Sequence, residues 1–207
     1  GGHAVPVAGE AEIMDRPWWA SLLQWTIWWI VMAAVMGWVA KSRMRKRPDS
    51  DRYTLRHPSS TLVLGVVTAI FFFGIAIVSN TVGKNSTTTI WTTLLFVGFG
   101  FLSVPILADY FFVRHRLSEQ GIEYTSMFGR RGSLRWSEIR TVSFSPAMKW
   151  FVLWGASGTK ARISAMLIGL PEFAQLVLRY VPKTAMDAET QAILGETAQG
   201  RPPSIWG

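Results

Sequence analysis

The chain has no cysteine. Disulfides, thiolate metal sites and thiol nucleophiles are therefore excluded. Charge is sparse too, with only 16% of the 207 residues being Asp, Glu, Lys or Arg. Histidine is limited to His3, His57 and His115, and no two of them have the spacing of metal ligands. No Gly-rich phosphate loop and no nucleophile elbow is present. Ser and Asp occur without the local arrangement of a triad. No enzyme, no metal site and no cofactor is expected from this composition.

Apolar and aromatic residues are abundant: 49% of the chain is hydrophobic and 11 residues are Trp. Trp18 to Ala40 runs for 23 residues without a charge. As a helix it would reach roughly 35 Å, enough for a hydrocarbon core of about 30 Å. Ser60 to Asn80 is a second such run. Thr89 to Val113 is a third, with Asp109 near its end and Pro105 expected to kink it. The first run is too long for a cleaved signal peptide, acidic residues precede it, and Trp38 spoils a cut after Ala40. No Met stands at position 1 and Met14 precedes Asp15-Arg16-Pro17-Trp18, so residues 1–13 are set aside as a candidate added remnant.

The net charge of +8 does not point to nucleic acid, because of where it lies. Seven of the 21 Lys and Arg are Lys41, Arg43, Arg45, Lys46, Arg47, Arg52 and Arg56, between the first two apolar runs. The loop after the second run has Lys84 alone, and Arg114 and Arg116 follow the third. Positive residues favour the cytoplasmic side. The expected arrangement is a multi-pass protein of a bacterial inner membrane, with residues 1–17 outside and residues 114–207 in the cytoplasm. The sequon Asn85-Ser86-Thr87 then lies outside and matters only in a eukaryotic secretory pathway.

After residue 113 the pattern changes without a linker. Strands are predicted at 113–118, 122–127, 133–136, 140–145, 149–154 and 159–164, with turns at Glu119-Gln120-Gly121 and Gly155-Ala156-Ser157-Gly158. Leu170, Phe173, Ala174, Val177, Tyr180 and Val181 form one apolar stripe, predicting a helix from about Pro171 to Val181 that lies on a sheet. Residues 183–207 read as a tail with room for a short helix at Asp187–Thr197. The fold class is α+β: three transmembrane helices (18–40, 60–80, 89–113), then a β-barrel or sandwich at 114–182 closed by a helix.

Particular residues sharpen this pattern. They are Gly121-Ile122-Glu123-Tyr124, Phe128-Gly129-Arg130-Arg131, Leu134-Arg135-Trp136-Ser137-Glu138-Ile139, Val142, Trp150, Gly158 and Gly169-Leu170-Pro171-Glu172-Phe173. Together they resemble the pleckstrin-homology-like (PH-like) domains of small bacterial membrane proteins, over about residues 113–182. The resemblance implies a PH-like fold, which hosts lipid binding, peptide binding and scaffolding. It carries over no catalytic residue, and fold alone does not fix function.

Several groups stand out as contact candidates, each beside an ordinary alternative. Arg130, Arg131 and Arg135 would hold anionic headgroups if their loop faces the bilayer, or else form a solvated loop. The basic loop from Lys41 to Arg56, with Arg43, Arg45, Lys46 and Arg47 at its centre, would bind phospholipid, an acidic partner or the PH-like domain, or else only set topology. Trp25, Trp28 and Trp29 lie about 10–17 Å below the outer aromatic belt and would pack on a helix or a lipid-soluble ligand. Ala33 with Gly37, and Gly65 with Ala69, are small-xxx-small pairs expected to bring the first two helices together, or two copies of the chain. Asp109 is expected to pair with Arg114 or the basic loop.

The expected function is that of a non-enzymatic, membrane-anchored interaction or scaffold protein presenting a PH-like domain. Its expected partners are membrane lipids and a protein, with homo-oligomers allowed and nucleic acid not expected. The alternatives are an anionic-lipid-recognition module and an accessory subunit of a transport or channel assembly.

Overall fold

The computed structural model describes residues 18–42, 51–82 and 89–204. Arg43, Arg45, Lys46, Arg47, Lys84, the sequon and residues 1–17 lie outside the described residues. Helix α1 spans Trp18–Ser42. It forms a separate unit up to Val39 and is described by itself.

In the second unit α2 covers Ser59–Thr81. The third apolar run is two helices, α3 (Ile90–Phe101) and α4 (Ser103–Phe112). Pro105 explains the break at Leu102. It has no N–H for the Phe101 carbonyl, and its ring crowds that oxygen. The freed turn is tied locally: the Ser103 hydroxyl donates to the Gly100 carbonyl at 2.7 Å. Three segments, 19–42, 59–81 and 90–112, are thus long and apolar enough to cross a membrane.

Helix α2 packs on both halves of the third run. Phe72 stacks on Phe99 with ring centroids 5.3 Å apart. A Cβ on Gly100 would come within 2.8 Å of the Phe73 ring, and one on Gly65 within 2.7 Å of Leu107. Near the other end of α2, the Asn80 amide donates to the Thr93 hydroxyl at 2.9 Å. Gly65, read from sequence as a contact for the first helix, therefore receives Leu107 of α4. On α1, taken by itself, a Cβ at Gly37 would meet nothing within 4 Å among the described residues.

The remaining elements make a two-sheet sandwich. One sheet has the order β1-β2-β3-β4 and the other β5-β6-β7. Their ranges are β1 Thr54–Arg56, β2 Arg114–Leu117, β3 Gly121–Thr125, β4 Arg131–Arg135, β5 Ile139–Ser145, β6 Trp150–Gly155 and β7 Lys160–Ser164. The sheets stay open rather than closing into a barrel.

Strand β1 is the element that sequence reading missed. It comes from the loop before α2 and pairs antiparallel with β2, Leu55 opposite His115. The Leu117 N–H donates to the Tyr53 carbonyl at 2.7 Å, and the Ile168 N–H to the Arg56 carbonyl at 2.9 Å. Arg52 adds an ion pair to Glu172 at 3.8 Å. Leu55 is fully buried in the domain core with Ile122, Leu134, Phe151 and Phe173. The hairpin of α2 with α3–α4 is thus an insertion between the first two strands of the domain. Strand β1, which precedes α2, and strand β2, which follows α4, lie together at one end of that hairpin.

Helix α5 (Leu170–Tyr180) covers the core. Its buried residues include Leu170, Phe173, Ala174 and Val177, the stripe read from periodicity. Trp136 is buried, and its indole N–H donates to the Ser118 carbonyl at 2.9 Å. Helix α6 (Ala188–Ala198) follows. It is capped by Asp187, whose carboxyl is held below its usual range by the backbone and hydroxyl hydrogen bonds of Thr190. The Thr190 hydroxyl also accepts the Phe144 N–H at 3.0 Å, and Leu194 is fully buried. Residues 183–198 are thus packed into the domain.

Candidate functional site

Strand periodicity builds the site. In Arg114-His115-Arg116-Leu117 the arginines are exposed and His115 and Leu117 buried. Register carries this pattern across the sheet: Arg56 lies opposite Arg114, Thr54 opposite Arg116, Glu123 opposite both Arg116 and Ser133, and Thr125 opposite Arg131. The outer face thus shows two cross-strand rows. The row nearest the helices contains Arg56, Arg114, Thr125 and Arg131. The next contains Thr54, Arg116, Glu123 and Ser133.

Both rows line a groove of about 970 Å³, closed at the helix end by Phe111 and Phe112 from the last turn of α4. Four arginines face two carboxylates, Asp51 and Glu123. Arg56 and Arg114 are direct cross-strand neighbours about 5 Å apart. Like charges so placed are destabilising. Asp51 offsets one of them, at 3.0 Å from Arg56. Arg114 and Arg131 have no ion-pair partner among the described residues. The groove therefore presents uncompensated positive charge beside apolar rings where the chain leaves its third apolar segment.

The sequence-derived arginine set is thereby divided. Arg131 lines the groove. Arg135 is on the same face, four residues or about 13 Å farther from the helices. Arg130 sits in the β3–β4 turn, exposed. Arg56, read from sequence as one of the basic-loop cations, completes the cluster with Arg114 and Arg116, which were not singled out as site residues. The only available signal was an alternating Arg-x-Arg, since β1 was not foreseen. Asp109 has no ion pair with Arg114. Trp25, Trp28 and Trp29 are 66%, 50% and 73% exposed and share one side of α1 with Met32, Ala33 and Met36. Ala69, in α2, is half-buried.

Beneath the arginines lie two histidines that the fold brings together. His57 and His115 are 7% and 3% exposed. The Thr125 N–H donates to Nδ1 of His115 at 3.3 Å, which places the His115 proton on Nε2. That Nε2, like Nδ1 of His57, is buried without a partner. Burial lowers both imidazoles to about 4, and in His115 repulsion from His57 contributes to that fall. Both are neutral at pH 7. Among the described residues no three His, Asp or Glu side chains come together to hold a metal ion.

Fold and site define a class: a small β-sandwich mounted on long apolar helices, with a basic groove at the mounting. Residues 113–183 match the family model of the bacterial PH domain, so the chain carries a PH-like domain preceded by three long apolar helices. No curated protein and no solved structure matches the chain. The matched region begins after β1 and ends before α6, so the packed domain exceeds the family pattern on both sides.

Proposed function

We propose that this is a non-enzymatic interaction protein that holds a PH-like domain against the cytoplasmic face of a bacterial inner membrane and binds an anionic lipid headgroup in the arginine groove. The observation that supports it is the cross-strand pair Arg56 and Arg114, with Arg131 two strands away, beside Phe111 and Phe112 of the last turn of α4. A phosphate offers the negative oxygens that guanidinium forks accept. The Lys and Arg excess around residues 41–56, against Lys84 alone in the next loop, supports the cytoplasmic side.

The test is native mass spectrometry of the full chain released from mixed phosphatidylglycerol and phosphatidylethanolamine micelles. Each basic residue near a lipid surface is worth about 1 kcal/mol. Arg114→Gln with Arg131→Gln should therefore weaken phosphatidylglycerol retention about thirty-fold, and Arg135→Gln should leave it unchanged. Equal loss of both lipids, or no loss, would remove the groove reading.

A second reading, protein docking, is favoured by the other sheet. The outer face of β5–β7 shows Trp150, Val152 and Trp154, with Lys160 4.3 Å from the Trp154 ring and Arg162 5.2 Å from that of Trp150. No carboxylate lies on these strands. An acidic protein segment fits this face. A glutamate–tyrosine copolymer should bind the full chain and lose at least ten-fold in affinity with Trp154→Ala and Arg162→Glu. Unchanged binding in that variant would exclude this face.

A further inference from the structure

The β3–β4 turn has a feature that the groove does not use. Phe128 is 80% exposed, the most exposed large apolar side chain outside the membrane-length helices and the residue next to them, Val82. Its turn is well defined. The Ser126 N–H donates to the Arg130 carbonyl and the Gly129 N–H to the Ser126 carbonyl, each at 2.9 Å. Gly129 has φ +73°, the left-handed conformation that a three-residue hairpin loop requires. Phe128 is thus held outward on a short hairpin, where it covers nothing in its own core.

Register shows which way the hairpin points. β2 starts at the membrane end with Arg114 and β3 runs back antiparallel to it, so Thr125 returns to that end. The turn that follows projects past Arg56 and Arg114, whose strands continue into α2 and from α4. A second observation agrees: Gly129 lines the same groove as Phe111 and Phe112. A bare phenylalanine beside two arginines, at the depth where a membrane helix ends, has the chemistry of a bilayer interface. The ring enters the headgroup–acyl boundary, and the arginine stems bring their charges back to phosphate level.

We propose that the tip Phe128-Gly129-Arg130 is a wedge inserted into the same bilayer that α2 and the α3–α4 pair cross. The domain then has three attachments: the β1–α2 junction, the α4–β2 junction and the tip. Three non-collinear points fix its tilt, which a two-point hinge would leave free. Phe128 itself does not line the groove, and its insertion needs no particular headgroup.

The absence of cysteine makes the test clean, because a single introduced thiol labels one site. The full chain carrying Phe128→Cys is labelled with the fluorophore NBD and placed in phosphatidylcholine–phosphatidylglycerol bilayers. Arg130→Cys, which keeps Phe128, serves as a second site. Ser157→Cys, in the turn beyond β6 that leans on Glu138 at the far end of the sandwich, is the aqueous control. Both tip labels should emit to the blue of the control. Lipids bearing a shallow nitroxide should quench them at least three-fold more than Ser157→Cys. The same quenching should persist with Arg114→Gln and Arg131→Gln, which separates this proposal from headgroup binding. Emission at the aqueous wavelength, or a blue shift without lipid quenching, would overturn it, the latter indicating protein rather than lipid at the tip.

Discussion

Replacing Leu55 by Asp is expected to unfold the PH-like domain, although Leu55 lies outside the matched family region. The side chain has no exposed surface and sits with Ile122, Leu134 and Phe173. Truncating a buried leucine costs about 2–5 kcal/mol. Burying a carboxylate there adds several more unless it is protonated. Domains of this size have only about 5–15 kcal/mol to lose. Hydrogen exchange on the full chain in detergent should show β3 and β6 amides exchanging at least a hundred-fold faster. Leu55→Met, nearly equal in volume, should stay within about 1.5 kcal/mol of the parent. Residues 113–207 made alone should lack a cooperative transition, because the Leu55 slot is open and β2 becomes an unpaired edge. A protected β3 in the Asp variant would show that β1 is not part of the core.

Acid should weaken the same junction well before ordinary carboxylates titrate. His57 and His115 stand near 4 in the folded chain, against 6.5 when exposed. The unfolded chain therefore binds protons first as pH falls. The stability contributed by the neutral rings is complete above pH 6.5, is lost progressively as pH falls toward 4, and changes little below that. A shift of this size corresponds to about 3 kcal/mol per histidine. The two losses are not strictly additive, because each charge repels the other. The denaturation midpoint of the domain should thus fall between pH 6.5 and 5, a window in which Asp and Glu remain mostly ionised. His57→Gln with His115→Gln should flatten that slope while leaving the acid limb below pH 4.5. A midpoint constant from pH 7 to 5 would mean that the rings are hydrated.

The helices were legible in sequence because apolar runs of bilayer length leave a long signal. An uncharged run such as 18–40 has the length that a hydrocarbon core demands and that a small water-soluble domain rarely needs. Helix α1 ends within two residues of that run. The strands after residue 113 were legible through alternation and punctuation, and α5 through its stripe. Leu102 shows a partial reading: Pro105 announced a kink, but the full break also draws on Ser103 closing the freed turn. The groove was the least legible part. Arg131 was singled out with Arg130 and Arg135 because they are neighbours in the chain, whereas a sheet groups residues by register.

What sequence alone determined here is everything carried by a local pattern: three membrane-length apolar segments, the basic loop, the strand–turn rhythm and the capping helix. Such features depend on residues a few positions apart, so composition and periodicity suffice. What only the tertiary structure decided is the origin of the first strand and all that follows from it. Thr54-Leu55-Arg56 is too short to show a period. It becomes a strand because β2 offers an open ladder and the core offers Leu55 a slot. That one long-range pairing sets Arg56 beside Arg114, brings His57 close enough to repel His115, and makes the two-helix hairpin an insertion within the domain.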